Sequence, residues 1–223
     1  MIEVIVGDRV KLIETDVVHQ YYLDDSPVPG CTSILQRCGY SDYSMVRADV
    51  LEAKAEFGSL VHSYTHMYDD DDLDLNDLID YPEYARRVEG WAQFRNDWDF
   101  TPDTKWSEKP MVIVVHGQAF GVKPDCFGVG RFGFGGTSLL CTCEKKTTAQ
   151  IERSAELQTA AQALALKSLD CPCPGRIICQ LLDVPDKQGR YYRLKRCENR
   201  KDEALFLACL MIDIDKRNFK IID

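Results

Sequence analysis

The stretch Leu139-Leu-Cys-Thr-Cys-Glu-Lys-Lys146 decides the fold of this chain, because it predicts a strand whose apolar body ends in charged residues. Successive side chains of a strand point to opposite faces, so Glu144 and Lys146 share one face and Lys145 lies on the other. A carboxylate and an amine are therefore held side by side at the strand's end. If they are partly buried, they need a partner such as a metal ion or a phosphate; if they are exposed, they are an ordinary surface pair. The segment alone fits both interpretations.

Segments on both sides of this strand alternate between strand and helix patterns. Period-two or short apolar runs predict strands over 3–6, 10–14, 111–116, 118–123, 138–146, 176–184 and 191–196. Helical spacing of apolar residues predicts helices over 46–68, 84–98, 148–168 and 201–215. This order predicts an α/β (α+β) fold with a central mixed β-sheet flanked by helices. The 223 residues fit a single domain, with an N-terminal strand and helical region over 1–104 and a core over 105–223.

Composition and charge narrow the classes of function. The formal net charge of −9 disfavours attraction of nucleic acid over the whole surface, so any DNA contact must be local. No apolar run is long enough to span a membrane and the amino terminus lacks a secretory pattern, so we expect no membrane association and a cytoplasmic location. The ten cysteines lie mostly in strand-like and helical runs, where we expect reduced, buried thiols. The acidic run 69–72 predicts a solvated loop.

A second carboxylate stands at the end of another predicted strand, in Gly121-Val-Lys-Pro-Asp125. If the strands that begin at Gln118 and Ser138 pair as a glycine-turned hairpin, Asp125 can meet Glu144. Two carboxylates that converge in this way suit Mg²⁺ or Mn²⁺, which keep several waters and can take a substrate phosphate as a further ligand. Lys146 would then orient or help to deprotonate the attacking water.

These residues, Pro124-Asp125 followed by Glu144-Lys145-Lys146, resemble the PD-(D/E)XK nuclease superfamily. The likeness is greatest to its RecB-like and phage exonuclease branch, whose members often carry a histidine on an upstream helix and a glutamine on the helix after the lysine. Here the matching residues are His62 and Gln158. The segment from His19-Gln-Tyr-Tyr-Leu to Val28-Pro-Gly-Cys-Thr-Ser-Ile-Leu35 is also similar to the opening of phage members.

The resemblance implies a restriction-endonuclease-like core and a DNA nuclease that uses one or two Mg²⁺ or Mn²⁺ ions; an exonuclease is preferred on the resemblance alone. It implies that Lys146 is catalytic and that Gln158 orients Lys146 or the substrate. The resemblance implies that DNA is a partner and that a recombination or replication protein is a further partner. It implies a location in the bacterial cytoplasm or, for a phage protein, in the cytoplasm of the host. The implied metal ligands are His62, Asp125, Glu144 and the backbone carbonyl of Lys145.

Two further residues, Glu108 and Gln162, are weaker site candidates. Glu108, in Trp106-Ser-Glu-Lys-Pro, matches an acidic position often found before the first core strand. On a helical projection Gln158 and Gln162 interrupt the inward apolar face, while Glu156 and Thr159 fall on the far side. Buried amides need hydrogen-bond partners, which an active site would supply, although a satisfied core amide is the alternative, more so for Gln162. Family members often have a tyrosine where this chain has Gln162.

Glycine-rich and basic segments are the candidate DNA contacts. Glu144 follows Asp125 by 19 positions, which is longer than the compact motif, and the glycine-rich stretch 128–136 with Arg131 fills the excess. That stretch is either a hairpin that touches DNA or only a turn. The densest basic stretch, which predicts DNA contacts at Arg193 and Arg196 but also fits a solvated hairpin, comprises Arg190, Arg193, Lys195, Arg196, Arg200 and Lys201.

Rival interpretations concern zinc, iron–sulfur and non-catalytic proteins. His62 and His66 have the spacing of a zinc pair, but Ser63 stands where the metalloprotease signature needs a glutamate. Cys171-Pro-Cys-Pro-Gly lacks the Cys-x-x-Cys spacing, so we expect no iron–sulfur cluster. His19 and His116 are expected to be structural. The alternative from another class is a non-catalytic DNA-binding or partner-binding protein on the same scaffold.

Overall fold

The computed structural model describes residues 2–14, 19–168, 171 and 174–219. Strands in these ranges are β1 (Ile2–Ile5), β2 (Val10–Glu14), β3 (His19–Leu23), β4 (Ser26–Val28), β5 (Thr101–Pro102), β6 (Met111–Val115), β7 (Gln118–Val122), β8 (Cys126–Gly130), β9 (Leu139–Lys146), β10 (Gly175–Leu181) and β11 (Tyr192–Arg196). Helices are α1 (Cys31–Arg37), α2 (Ala48–Asp69), α3 (Pro82–Asp97), α4 (Arg153–Ser168) and α5 (Asp202–Phe219). The prediction of a mixed α/β fold is confirmed.

A mixed five-stranded sheet forms the centre, in the order β11-β10-β9-β8-β5. Its β9–β10 pair is parallel, whereas its other pairs are antiparallel. Parallel neighbours need a crossover, and α4 supplies it between β9 and β10. Helix α4 packs on the face that carries Glu144, and α3 packs on the opposite face, where Trp91 lies under Lys145. The end of β9 is therefore enclosed by helices on both sides.

Two smaller antiparallel sheets, β1-β6-β7 and β2-β3-β4, stand beside the central one. Strand β1 pairs with β6, with Ile2 opposite Val115. The ring of Tyr21 in β3 packs directly on Gly121 in β7, where an added Cβ would lie 2.1 Å from the ring. A glycine at this position is what lets the small β2-β3-β4 sheet approach β7.

The predicted hairpin between the strands at Gln118 and Ser138 is wrong. Strand β7 pairs with β6, and the partner of β9 is β8, a strand not expected from the sequence. Pro124 lacks a backbone N–H, which ends β7, and the chain then turns before β8. Glycines conceal β8 in the sequence, but at Gly128 an added Cβ would lie 2.4 Å from the Phe100 ring, so a strand packed under that ring needs glycine.

Helix α4 begins at Arg153, later than the predicted 148, and it is buried around most of its circumference. Thr159, expected on an exposed far side, is fully buried. Glu156, expected beside it, is half-buried and accepts from Lys195 and Arg153. Five alanines lie along this helix, and their small side chains allow β1, α1, α5 and the central sheet to pack around it. The amphipathic pattern is weak because the helix lies inside the fold.

The acidic run 69–72 is only partly a solvated loop. Asp70 to Asp72 are exposed after the end of α2, but the Asp69 carboxylate is 2 % exposed. Trp91 Nε1 and Arg95 Nη1 donate to Asp69 Oδ1 at 2.7 and 2.9 Å. Burial raises the pKa of Asp69, which the positive charges of Lys145 and Arg95 oppose. Asp69 therefore fastens the end of α2 to α3.

The sequence predicts reduced, buried cysteines and no membrane-spanning helix. Seven of the cysteines in the described residues are buried, and these seven are free thiols. Pro172 and Cys173, in the segment compared with iron–sulfur motifs, lie outside the described residues. Among the helices that the structure describes, none has both the length and the apolar character needed to cross a membrane.

Candidate metal centre

Asp125 is the residue that connects the two sides of the site. It stands one residue before β8, and the β8–β9 register, with Cys126 opposite Cys143, places Asp125 opposite Glu144. Its Oδ2 accepts the backbone N–H of Lys145 at 2.7 Å, and its Oδ1 lies 3.3 Å from His62 Nδ1. The carboxylate is thus fixed by β9 on one side and faces α2 on the other.

A cluster of three possible metal ligands surrounds this carboxylate: His62, Glu108 and Asp125. One ligand atom from each residue lies within 4.8 Å of the others, and His62 Nδ1 is 3.7 Å from Glu108 Oε1. The three side chains come from α2, from the loop before β6 and from the turn before β8. The structure therefore brings together His62 and Asp125, as the resemblance implies, and adds Glu108, the weaker candidate.

Glu108 is held in an unusual backbone conformation. Its φ of 54° lies in the left-handed region, which costs energy for a residue other than glycine and is frequent at functional sites. Its N–H donates to Pro124 O at 2.8 Å, which ties this loop to the turn that carries Asp125. Lys123 Nζ lies 3.4 Å from Oε2, whereas the buried Oε1 has no hydrogen-bond partner among the described residues. A buried oxygen whose one charged contact is His62, at 3.7 Å, and which accepts no hydrogen bond among the described residues is able to bind a cation.

The donor set fits a divalent ion of the hard or intermediate kind. Two carboxylates and one imidazole suit Mn²⁺ and, with additional waters, Mg²⁺. Thiolate ligands, which would favour a softer metal, are not part of the cluster. The side chain of His62 is 24 % exposed, so the cluster can be reached from the surface.

Charge in the cluster is balanced by His62. Burial alone would lower the pKa of the imidazole, but Asp125 and Glu108 outweigh it and raise that pKa to about 9. Burial alone would raise the pKa of Asp125, but the positive charges of His62, Lys146 and Lys145 hold that pKa below its ordinary value. At neutral pH the imidazolium is thus the counter-ion of the carboxylates, and a metal that binds here must displace its proton.

Glu144 and Lys146 form the second half of the site. Lys146 Nζ donates to Glu144 Oε1 at 2.6 Å and to Gln158 Oε1 at 3.3 Å. Burial opposes the charge of Lys146, but Glu144 and Asp125 raise the pKa of the amine above its ordinary value, so Lys146 is an ammonium. Both Glu144 oxygens are occupied by protein donors, and Glu144 does not join the three-residue cluster. Its role as a metal ligand stays a prediction, as does that of the Lys145 carbonyl.

The two glutamines of α4 occupy different environments. Gln162 is buried; it accepts from the Thr142 hydroxyl, and its Nε2 donates to Glu144 Oε2 at 2.7 Å. Gln158 is only half-buried and connects Lys146 to α1, since its Nε2 donates to Thr32 Oγ1 at 3.2 Å. The predicted inward orientation is confirmed for Gln162, and both glutamines reach the charged end of β9.

The side chain of Lys145 is the feature that the sequence analysis missed. It is 1 % exposed, and its ammonium donates to Thr65 Oγ1 at 2.9 Å and lies 5.1 Å from the centroid of the Trp91 ring. Burial opposes its charge, but Glu108, Cys126 and Asp69 raise its pKa. A signal was present, because strand alternation puts Lys145 on the same face as the apolar Cys143.

Three arginines predicted to contact DNA are dispersed. Arg131 follows β8 at the end of the sheet remote from Lys146 and is paired with Asp99 at 3.0 Å. Arg196 lies over the Trp98 ring on the α3 face of the sheet. Arg193 is opposite Gln180, and Gln180 is beside Lys146. Of the three arginines, only Arg193 therefore lies on the sheet face of the catalytic candidates and near their end of the sheet.

Comparison of the chain with models of protein families, with curated proteins and with solved structures gave no match. The assignment of chemistry to this centre therefore depends on its geometry and on the sequence motif.

Proposed function

We propose that the chain is a divalent-metal-dependent nuclease that hydrolyses phosphodiester bonds in DNA, on a single domain with a restriction-endonuclease-like PD-(D/E)XK core. The observation that carries this proposal is the approach of His62, Glu108 and Asp125 within 4.8 Å of one another, beside the Glu144–Lys146 pair. Glu108 Oε1 is in ion-pair contact with His62 Nδ1 at 3.7 Å but has no hydrogen bond among the described residues, so it keeps a lone pair that a cation can take.

The side chains divide the chemistry between them. His62, Glu108 and Asp125 would hold the ion, with Glu144 as a further ligand once its protein donors yield. A bound divalent ion supplies a water of lowered pKa and neutralises charge on the phosphate. Lys146 is an ammonium, so it donates hydrogen bonds that orient the attacking water or a phosphate oxygen, and Gln158 limits where that ammonium can move. Direct proton abstraction by Lys146 is disfavoured by its raised pKa.

DNA is the substrate that the motif favours, and the partial exposure of the site suits a polymer. His62 and Lys146 are 24 % and 26 % exposed at their side chains, so a phosphate can reach both without the fold opening. Exonuclease action is part of the proposal through the resemblance to the RecB-like branch.

Digestion of end-labelled linear and closed circular DNA with Mg²⁺, Mn²⁺ or EDTA tests the proposal. We expect metal-dependent loss of linear DNA and protection of circles; cleavage of circles would identify an endonuclease instead. Lys146→Ala should abolish cleavage and keep DNA binding and the far-ultraviolet circular dichroism spectrum. Lys109→Ala, which removes an exposed lysine outside the cluster, is the matched control. Binding of DNA without any metal-dependent cleavage would overturn the nuclease in favour of a non-catalytic DNA-binding protein.

A further inference from the structure

The turn between β10 and β11 forms a surface cavity. The cavity, which we call the turn cavity, has a volume of about 410 Å³ and is lined by Pro185, Asp186, Lys187, Gln188, Arg190 and Arg193. Strands β9 and β10 are parallel and in register, with Lys146 beside Gln180, so both end at the same edge of the sheet. The turn that follows β10 therefore extends beyond the edge at which Lys146 lies.

Positive charge dominates this cavity. Asp186 is its single acidic lining residue, and it is engaged by Arg190, whose Nη2 lies 3.1 Å from Asp186 Oδ2 and whose backbone N–H donates to Oδ1 at 3.0 Å. These bonds hold the turn in shape. Lys187 and Arg193 are exposed and form no ion pair with any residue that the structure describes. Two unpaired cations in one concave site are notable in a chain of net charge −9.

Arg193 connects the turn cavity to the chemistry. Across the sheet, Arg193 is opposite Gln180 and Gln180 is beside Lys146, so all three side chains point to the same face. Neighbouring strands are about 4.8 Å apart, which places the backbone of Arg193 roughly 10 Å from that of Lys146. A nucleic acid strand with one phosphate at Lys146 can reach this distance with a nearby phosphate.

Other basic residues lack these properties. Lys195 is held by Glu156, and Arg196 lies on the opposite face of the sheet over Trp98. Arg131 and Lys201 stand at the other end of the sheet, after β8 and before α5. Fixed cations close to a hydrolytic centre recognise the phosphates of a substrate backbone, which carry no sequence information.

We propose that the turn cavity is a binding site for a backbone phosphate of the DNA strand, displaced from the phosphate that is cleaved. This inference rests on the proposed nuclease function and specifies which surface carries the substrate. Lys187 and Arg193 contact the phosphate, and Arg190 is kept in place by Asp186. Because the contacts are to phosphate, they contribute affinity without preference for base sequence.

The test compares two double variants that remove the same charges. Lys187→Ala/Arg193→Ala changes the turn cavity. Lys105→Ala/Lys216→Ala is the matched control, because it removes two exposed lysines that lie outside the basic stretch 190–201 and form no ion pair with any described residue. Fluorescence anisotropy of a fluorescein-labelled oligonucleotide, single- and double-stranded, is measured in Ca²⁺ over a range of salt concentrations. We expect weaker binding and a salt slope reduced by about two for the cavity variant, since each lost phosphate contact reduces it by about one. The control should keep the wild-type affinity and slope.

Cleavage separates failure of this inference from failure of the proposed function. If the wild-type protein cleaves DNA, the cavity variant should show a raised KM and a nearly unchanged kcat. Equal effects of both double variants, or no effect of either, would overturn the assignment of a phosphate site to the turn cavity but would not affect the proposed nuclease function. A wild-type protein that neither binds nor cleaves DNA would remove the premise as well. Calorimetric binding of inorganic phosphate, without Ca²⁺, to the wild type but not to the cavity variant, with equal affinity of both proteins for the oligonucleotide, would identify a free-phosphate site and overturn the inference.

Discussion

The ammonium of Lys145 donates to the hydroxyl of Thr65 at 2.9 Å, and that hydroxyl donates to the carbonyl of His62 at 2.9 Å. The bonds join β9 to α2 next to the metal candidate. Of the 22 residues of α2, all of which the structure describes, only Val61 and Thr65 are buried. These two residues flank His62, and the carboxylate of Asp69 fastens the end of the same helix. The middle lysine of Glu144-Lys145-Lys146 therefore helps to position the helix through its side chain.

Replacement of Thr65 tests this dependence. Thr65→Val keeps the shape but removes the hydroxyl, so the buried ammonium of Lys145 loses its hydrogen bond and His62 loses its anchor. We expect the affinity for Mn²⁺, measured by isothermal titration calorimetry, to fall by about tenfold or more, as for other residues that orient a ligand. Thr65→Ser keeps the hydroxyl and should bind Mn²⁺ as the wild type does. Equal affinities for the valine and serine variants would show that the hydroxyl has no such role.

Glu108 is the candidate ligand that the sequence indicated least. Glu108→Gln removes the charge but preserves the size of the side chain, and we expect Mn²⁺ affinity to fall at least about tenfold, together with loss of cleavage. Glu3→Gln, an exposed glutamate in β1, is the control for a change of net charge. If Glu108→Gln binds Mn²⁺ normally while Glu144→Gln does not, the centre is built on Asp125 and Glu144, as the motif alone implies.

The protonation of His62 gives metal binding a defined pH dependence. Its pKa rises from 6.5 to about 9 in the folded protein, so the imidazolium stabilises the metal-free fold fully below pH 6.5, and this contribution is lost as the pH rises through about 9. Metal binds the neutral imidazole, so Mn²⁺ affinity should increase about tenfold per pH unit up to about 9 and then level off. Calorimetry in buffers of different ionisation enthalpy should report about one proton released near pH 7.5. His62→Asn should abolish this slope, and an unchanged slope would exclude His62 as the titrating ligand.

The sequence predicted the charged end of β9 well and the surroundings of Asp125 less well. Strand alternation assigned Glu144 and Lys146 to one face, because period two is a local property of the backbone. The partner of β9 could not be found in this way, since Gly128 and Gly130 carry no β-strand signal and are needed only because Phe100 and Phe132 pack on them. Pairing depends on contacts between distant residues, which local patterns do not contain.

Glu108 and Thr65 illustrate the same limit at the site. The left-handed backbone of Glu108 is produced by the loop around it, including the hydrogen bond to Pro124. Glutamate has no preference for this conformation, so the sequence could not predict it. Thr65 and Lys145 are 80 positions apart, and their hydrogen bond exists only after α2 has docked. By contrast, Gln162 could be assigned to the interior from helical spacing alone, and its contact with Glu144 follows from that placement.

The two glutamines of α4 should separate stability from catalysis. Gln162→Leu leaves a buried oxygen of Glu144 without its donor and the Thr142 hydroxyl without its acceptor, so the free energy of unfolding, measured with urea, should fall by about 1–3 kcal/mol. Gln158 is half-buried, and Gln158→Leu should change that free energy by less than about 0.5 kcal/mol. Because Gln158 limits the position of the Lys146 ammonium, the same variant should lower kcat for DNA cleavage and leave KM nearly unchanged. A Gln158→Leu variant with normal kcat, or a Gln162→Leu variant as stable as the wild type, would contradict the respective assignment.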